Sequence, residues 1–154
     1  MDFVVTHLMQ GVIMGRKSKG PIQVGQALGP VEYTITEEMV DMHLKAVDNR
    51  DPLFKELQPD RKRLVPPCFS VRDFVYLLLQ REALSMGGIQ TEQESEYFTP
   101  GFVGQRVVCR GKFVSQYIKR GKKYNVIDYW IDDMNGQPIA KHRLTGIIFG
   151  KRRK

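Results

Sequence analysis

The sequence predicts an α+β fold, an antiparallel sheet curled around one long central helix. Three observations carry this expectation. Only one long segment, residues 66–84, combines helical apolar spacing with a surface too broadly greasy for a helix on a solvated edge. Nearly everything after it reads as strand, punctuated by Gly87-Gly88, Pro100-Gly101, Gly121 and Asn135-Gly136. A short strand and a capped helix come before it, so the strands flank the helix in sequence. At 154 residues the chain has room for one domain with a single core.

Residues 1–21 carry no firm pattern, and Gly11, Gly15 and Gly20-Pro21 read as an arm. The domain itself is expected to span 22–150, followed by a basic tail at 151–154. Residues 31–35 form a short strand after Gly29-Pro30. Thr36 then caps a helix over residues 36–47, with Glu37 and Glu38 favoured in its first turn by the helix dipole. Met39, Met42, His43, Ala46 and Val47 form its apolar stripe, and His43 on that stripe reads as a structural histidine. Residues 48–67 are too polar and too broken by proline for a regular element, and loops of that length are commonly functional or disordered.

Pro66 and Pro67 stop any earlier element, and Ser70 stands three residues before Asp73, where a capping pair belongs. Val71, Phe74, Val75, Leu78 and Leu79 recur at helical spacing, widened by Leu77 and Leu84. Residues 89–98 are polar, with Glu92, Glu94 and Glu96 on one exposed face. In residues 103–118, Val107, Cys109, Phe113 and Tyr117 point one way and Arg110, Lys112 and Gln116 the other. Residues 124–132 are apolar on both faces, as in a central or interface strand. Asn135-Gly136 is the strongest hairpin signal, read as a type I′ turn with positive φ at both positions. Residues 139–149 close the sheet. Its free edges and apolar outer surface call for a second copy or a related chain.

Composition narrows the function. Hydrophobic residues make up 42% of the chain, and no run approaches the roughly 20 apolar residues of a membrane span. The first residues lack the basic start and unbroken apolar centre of a signal peptide, so a cytoplasmic protein without a membrane partner is expected. Cys68 and Cys109 offer neither a disulfide framework nor metal-ligand spacing and read as small buried residues; His7, His43 and His142 are scattered, so no metal is expected. The net charge of +7 lies partly in Lys119, Arg120, Lys122 and Lys123 and in the last four residues. Such charge suits a solvated surface, the phosphates of an anionic ligand such as coenzyme A, or nucleic acid. Tyr117, Tyr124, Tyr129 and Trp130 could stack on bases, but their alternation favours core or interface packing.

Several short pieces, in order and spacing, resemble the MaoC-like dehydratases, which have the hotdog fold. They are Val24-Gly25-Gln26 with Leu28, residues 33–38 (YTITEE), Asp51-Pro52-Leu53-Phe54, Leu64-Val65-Pro66-Pro67, Glu96-Tyr97-Phe98, Pro100-Gly101, Gly104-Gln105-Arg106-Val107 and Asn135-Gly136-Gln137. The resemblance covers residues 22–149. Within that family the (R)-specific enoyl-CoA hydratases carry a motif Asp-x-Asn-Pro-Leu/Ile-His, whose Asp and His activate water and move the proton. Aligned on Pro52-Leu53, Asn49 takes the Asp position, Asp51 the Asn position and Phe54 the His position. An amide is no carboxylate base, a phenyl ring has no proton to exchange, and residues 48–67 contain no histidine.

The resemblance therefore implies an acyl-CoA thioester as substrate or ligand, with no other cofactor. It places Asn49 and Asp51 at a degenerate catalytic motif and Phe54, Pro67, Cys68 and Phe69 at the substrate. The amide of Cys68, at the start of the central helix, would face the thioester carbonyl, and Lys119, Arg120, Lys122 and Lys123 the CoA phosphates. The leading expectation is a non-catalytic or half-site subunit of an enoyl-CoA hydratase/dehydratase, shaping the acyl tunnel. It would assemble as a homodimer, or as a heterodimer or heterotetramer with a second hotdog subunit that carries the dyad. The alternatives are an active homo-oligomeric thioesterase or divergent dehydratase using Asp51 or His43, and a binding module for acyl-CoA or, less favoured, nucleic acid.

Overall fold

The strand-like stretches in the second half of the chain pair, together with two from the first half, as a single sheet. A computed structural model of the chain describes residues 12–14, 22–80 and 88–148. The strands are β1 (Val12–Met14), β2 (Ala27–Thr34), β3 (Gly88–Tyr97), β4 (Arg106–Lys119), β5 (Lys122–Asp133) and β6 (Pro138–Ile148). They are antiparallel throughout, in the order β1-β2-β4-β5-β6-β3. Register shifts interrupt the pairings at Leu28/Val31, Gln90/Glu92, Phe113/Ser115 and Ile131/Asp132. Bulges of this kind bend and twist strands, and so help a sheet to curl. The Phe113/Ser115 shift also changes the phase of β4: Tyr117, expected on the same face as Val107, Cys109 and Phe113, is exposed and stacks on Tyr124 at 5.1 Å.

The helix at residues 67–80 lies against β2, β4 and β6. It begins as a 3₁₀ helix, Pro67–Asp73, and continues as an α-helix, α2, over Phe74–Gln80; Leu84 lies outside the described residues. Leu77 is fully buried, and two glycines make room for it. A Cβ on Gly111 would stand 2.8 Å from Leu77 Cδ1, and one on Gly29 3.0 Å from Leu77 Cδ2. The expected capping pair is not one. Pro66 holds the cap position without a side-chain bond, and Ser70 and Asp73, both inside the 3₁₀ turns, are buried. The helix is wound tightly there, which turns these two polar side chains into the interior instead of back onto free amides.

The first helix, α1 (Glu37–Ala46), is capped as expected, Thr36 Oγ1 accepting from the Met39 amide at 3.3 Å. Its buried face is Met39, Val40 and Leu44, rotated from the predicted stripe, so Met42 and Val47 are exposed. The type I′ turn also lies elsewhere. Arg120 and Gly121, at φ +50° and +70°, connect β4 to β5, whereas Asn135 has no positive φ and Gly136 alone has one, at +81°. In the β5–β6 turn Asp133 Oδ1 accepts from the amides of Asn135 and Gln137 at 2.8 and 2.9 Å. That side chain does the work expected of an asparagine in the left-handed region.

Candidate functional site

Residues 48–67, expected to be functional or disordered, are ordered by a succession of short side-chain-to-backbone bonds. Asn49 Oδ1 accepts from the Asp51 amide at 2.9 Å, and Asp51 Oδ1 from the Leu53 amide at 2.9 Å, capping a 3₁₀ turn over Pro52–Phe54. Arg63, buried, donates from Nε to the Phe54 carbonyl at 2.7 Å and from Nη2 to Asp41 of α1 at 2.6 Å. These bonds hold Leu53 and Phe54 over the start of the central helix. Beneath them is a cavity of about 380 Å³, walled by Leu53, Phe54, Val65, Phe69, Phe98 and Ile131 among others. Among the described residues no Asp, Glu, His, Lys or Arg lines it; the polar side chains there are Tyr33, Ser70, Tyr97 and Thr99.

Three of these, Tyr33, Ser70 and Thr99, are hydrogen-bonded to neighbouring groups. Tyr33 donates to Asp73 Oδ2 at 2.6 Å, and Thr99 to the Pro138 carbonyl at 2.8 Å. Asp73 is fully buried, and burial pushes its carboxyl up to about 7. Its Oδ1, the Tyr76 hydroxyl and Nε and Nη2 of Arg72 have no hydrogen-bond partner among the described residues. Arg72 lies over the Phe69 ring at 4.1 Å. Ser70 meets His142 Nε2 at 2.9 Å, and His142 Nδ1 meets Ser95 Oγ at 2.9 Å. The His142 ring stacks on Tyr129 at 4.7 Å and faces the edge of Tyr97 at 5.7 Å; burial lowers its pKa to about 4, so it is neutral near pH 7.

No family model matches the sequence, and no curated protein matches it. Solved structures do match the fold. The (3R)-hydroxyacyl-ACP dehydratase complex HadBC of Mycobacterium tuberculosis superposes with a TM-score of 0.69 at 16% identity, over 81% of this chain and 96% of that one. The (R)-hydratase of A. caviae gives 0.66 at 16% identity, with the same coverage. A MaoC-like dehydratase from Rhodospirillum rubrum gives 0.65 at 10% identity, over 86% of this chain and 96% of that one. The fold is the hotdog fold.

Around the hotdog helix, the residues singled out from the sequence separate into four places. Phe54, Pro67 and Phe69 line the cavity. Asn49 and Asp51 do not; Asn49 borders a polar groove beside Asp41 and Lys45 of α1 and Lys55 of the loop, and both side chains are occupied in loop capping. Cys68, read as a small buried residue, is exposed, and its Sγ lies 3.3 Å from His43 Nε2, outside the cavity lining. His43 is lowered in pKa by partial burial and by Arg72. Lys119, Arg120, Lys122 and Lys123 are exposed at the far tip of the β4–β5 hairpin. Ile131, which lines the cavity, is nine residues from Lys122 along β5, roughly 25–30 Å at strand rise.

Sequence reasoning missed Arg63, Ser70, His142 and Ser95 as parts of this hotdog site. Arg63 sat in a loop with no periodicity. Ser70 was legible only as a cap, and its bond to His142 spans 72 residues. No local spacing signals such a pair, because register in the sheet and docking of the helix create it.

Proposed function

We propose that this chain is the acyl-thioester-binding half-site of a hotdog hydratase/dehydratase, and that a second hotdog subunit supplies the acid–base pair. The observation that carries the reading is the uncharged cavity under Phe54. Its apolar wall suits a fatty acyl chain, yet among the described residues that line it there is neither a carboxylate to take a proton nor an imidazole to return one. Phe54 stands where the resemblance calls for histidine, and the Asn49 and Asp51 side chains are spent on the loop. An aromatic ring there gives up proton transfer and gains contact with an apolar ligand.

The sheet edge supports a partner different from itself. β3 ends the sheet and is exposed on nearly every residue of both faces, Ile89 and Tyr97 included. Glu92, Glu94 and Glu96 share one face, so two copies paired edge to edge would bring like charges together, which disfavours the pairing. An edge strand of opposite charge removes that penalty. The Mycobacterium tuberculosis neighbour is itself a complex.

The test uses the purified chain alone. Octanoyl-CoA binding with no hydration of crotonyl-CoA or 2-octenoyl-CoA is expected, and activity returns when a hotdog subunit with the intact motif is co-expressed. Hydratase turnover by the chain on its own would sink the half-site reading.

A further inference from the structure

The floor of the cavity carries a hydrogen-bonded relay whose direction follows from where the Ser70 hydroxyl hydrogen goes. Ser70 has one hydroxyl hydrogen, and giving it to the Pro67 carbonyl, 3.2 Å away and able only to accept, is what makes that contact a bond. Its oxygen is therefore free to accept from His142 Nε2 at 2.9 Å. A neutral imidazole has a single N–H; with that proton on Nε2, Nδ1 accepts from the Ser95 hydroxyl at 2.9 Å. The chain runs from Ser95 through His142 to Ser70 and ends at the cavity wall, since Ser70 and Pro67 both line it. Tyr129 and Tyr97 hold the ring in its plane.

Only the last bond of this chain is loose. An O–H···O bond is commonly about 2.7–2.8 Å, and Tyr33 and Thr99 spend their hydrogens at 2.6 and 2.8 Å. Ser70 holds its acceptor at 3.2 Å. A ligand oxygen reaching the cavity floor exchanges most easily with that one.

We propose that the Ser70 hydroxyl, oriented by His142 and Ser95, donates to the carbonyl oxygen of the acyl thioester bound in the cavity. This rests on the cavity taking an acyl thioester, as proposed above, and adds the polar group that recognises the carbonyl. Ser70 binds; His142 and Ser95 are positioning residues. The reverse direction, with Ser70 giving its proton to His142 and attacking the thioester, needs a strong base, and an imidazole lowered to about 4 by burial is a weak one.

Two ligands that differ only at the carbonyl test it: octanoyl-CoA, and S-octyl-CoA, a thioether without that oxygen. In the full chain, Ser70→Ala is expected to weaken octanoyl-CoA about five-fold, the scale of one neutral hydrogen bond, and to leave S-octyl-CoA unchanged. Ser70→Thr keeps the hydroxyl and keeps the preference. His142→Gln and Ser95→Ala reduce it in part, and the carbonyl stretch of bound ¹³C-labelled octanoyl-CoA moves to higher frequency in every variant that loses the bond. Equal weakening of both ligands by Ser70→Ala, or no weakening of either, overturns the role of Ser70 while leaving the acyl site intact. An acyl group found covalently on Ser70 overturns it in favour of the reverse direction. If the wild-type chain binds neither ligand, the acyl-site reading falls and this inference with it.

Discussion

Arg63 ties three parts of the chain together: its guanidinium bonds the Phe54 carbonyl and Asp41 on α1, and its backbone carbonyl accepts from the Val103 amide. Asp41 is largely exposed, so solvent screens the ion pair; the bond to the Phe54 carbonyl and the packing of the buried stem weigh more. Arg63→Ala is expected to cost about 1–2 kcal/mol in urea unfolding and to loosen acyl-CoA binding, because Phe54 loses its anchor. Two buried groups work against each other with pH. Asp73 has a folded pKa of about 7 against 3.8 for the free group, so its contribution is lost as pH rises between those values. Its surroundings are Tyr33 on β2, Cys109 on β4, and Arg72 and Tyr76 on its own helix. His142 is lowered to about 4 from 6.5, so its contribution is lost as pH falls through that window. The two slopes oppose each other. In thermal melts between pH 4 and 7, Asp73→Asn should steepen the loss of stability on acidification relative to wild type, and His142→Gln should flatten or reverse it. Slopes unchanged in both variants would refute the assignment. From the sequence, Asp73 and Ser70 were legible as a polar pair at a helix start, but not as inward-facing groups, because a 3₁₀ turn and an α-turn aim the same positions differently.

The elements were the most legible level. Turn residues and strand-like composition located β3 to β6 within a few residues, and in β4 alternation named the buried face, since a strand with one buried face must repeat every second residue. What alternation missed were the bulges, which shift phase without any change in composition. The hairpins show the same limit. Asn135-Gly136 has the preferred residues for a type I′ turn, yet the turn with two positive φ values is Arg120-Gly121. Asp133→Ala should therefore cost about 1 kcal/mol by releasing two amides, and Asn135→Ala much less, both read from chemical denaturation. At the contact of helix and sheet, a Cβ on Gly111 would lie 2.8 Å from Leu77 and 2.9 Å from the Asp128 carbonyl. Backbone cannot yield as a side-chain tip can, so Gly111→Ala is expected to lose about 1–3 kcal/mol by overpacking. A variant as stable as wild type would mean that the helix sits further from the sheet.

At the scale of the molecule, one long edge strand is exposed along nearly its whole length, and the mouth of the cavity is framed by exposed Leu53, Tyr97 and Phe98. Such a surface calls for cover. Native mass measurement should give a complex with a second hotdog chain; with that chain absent, raising salt should strengthen self-association by screening Glu92, Glu94 and Glu96. Self-association that is tight at low salt and indifferent to ionic strength would count against the charge argument. The sequence by itself determined the kinds and order of elements, because apolar periodicity is a local property that any stretch of chain displays. It also determined that residues 48–67 have no histidine to offer. Only the tertiary structure decided that Ser70 meets His142, that Arg63 secures Phe54, and that the basic hairpin tip lies at the far end of β5 from the cavity. Those relations join residues remote in sequence, and they exist only once strand register and helix docking have set which side chains share a space.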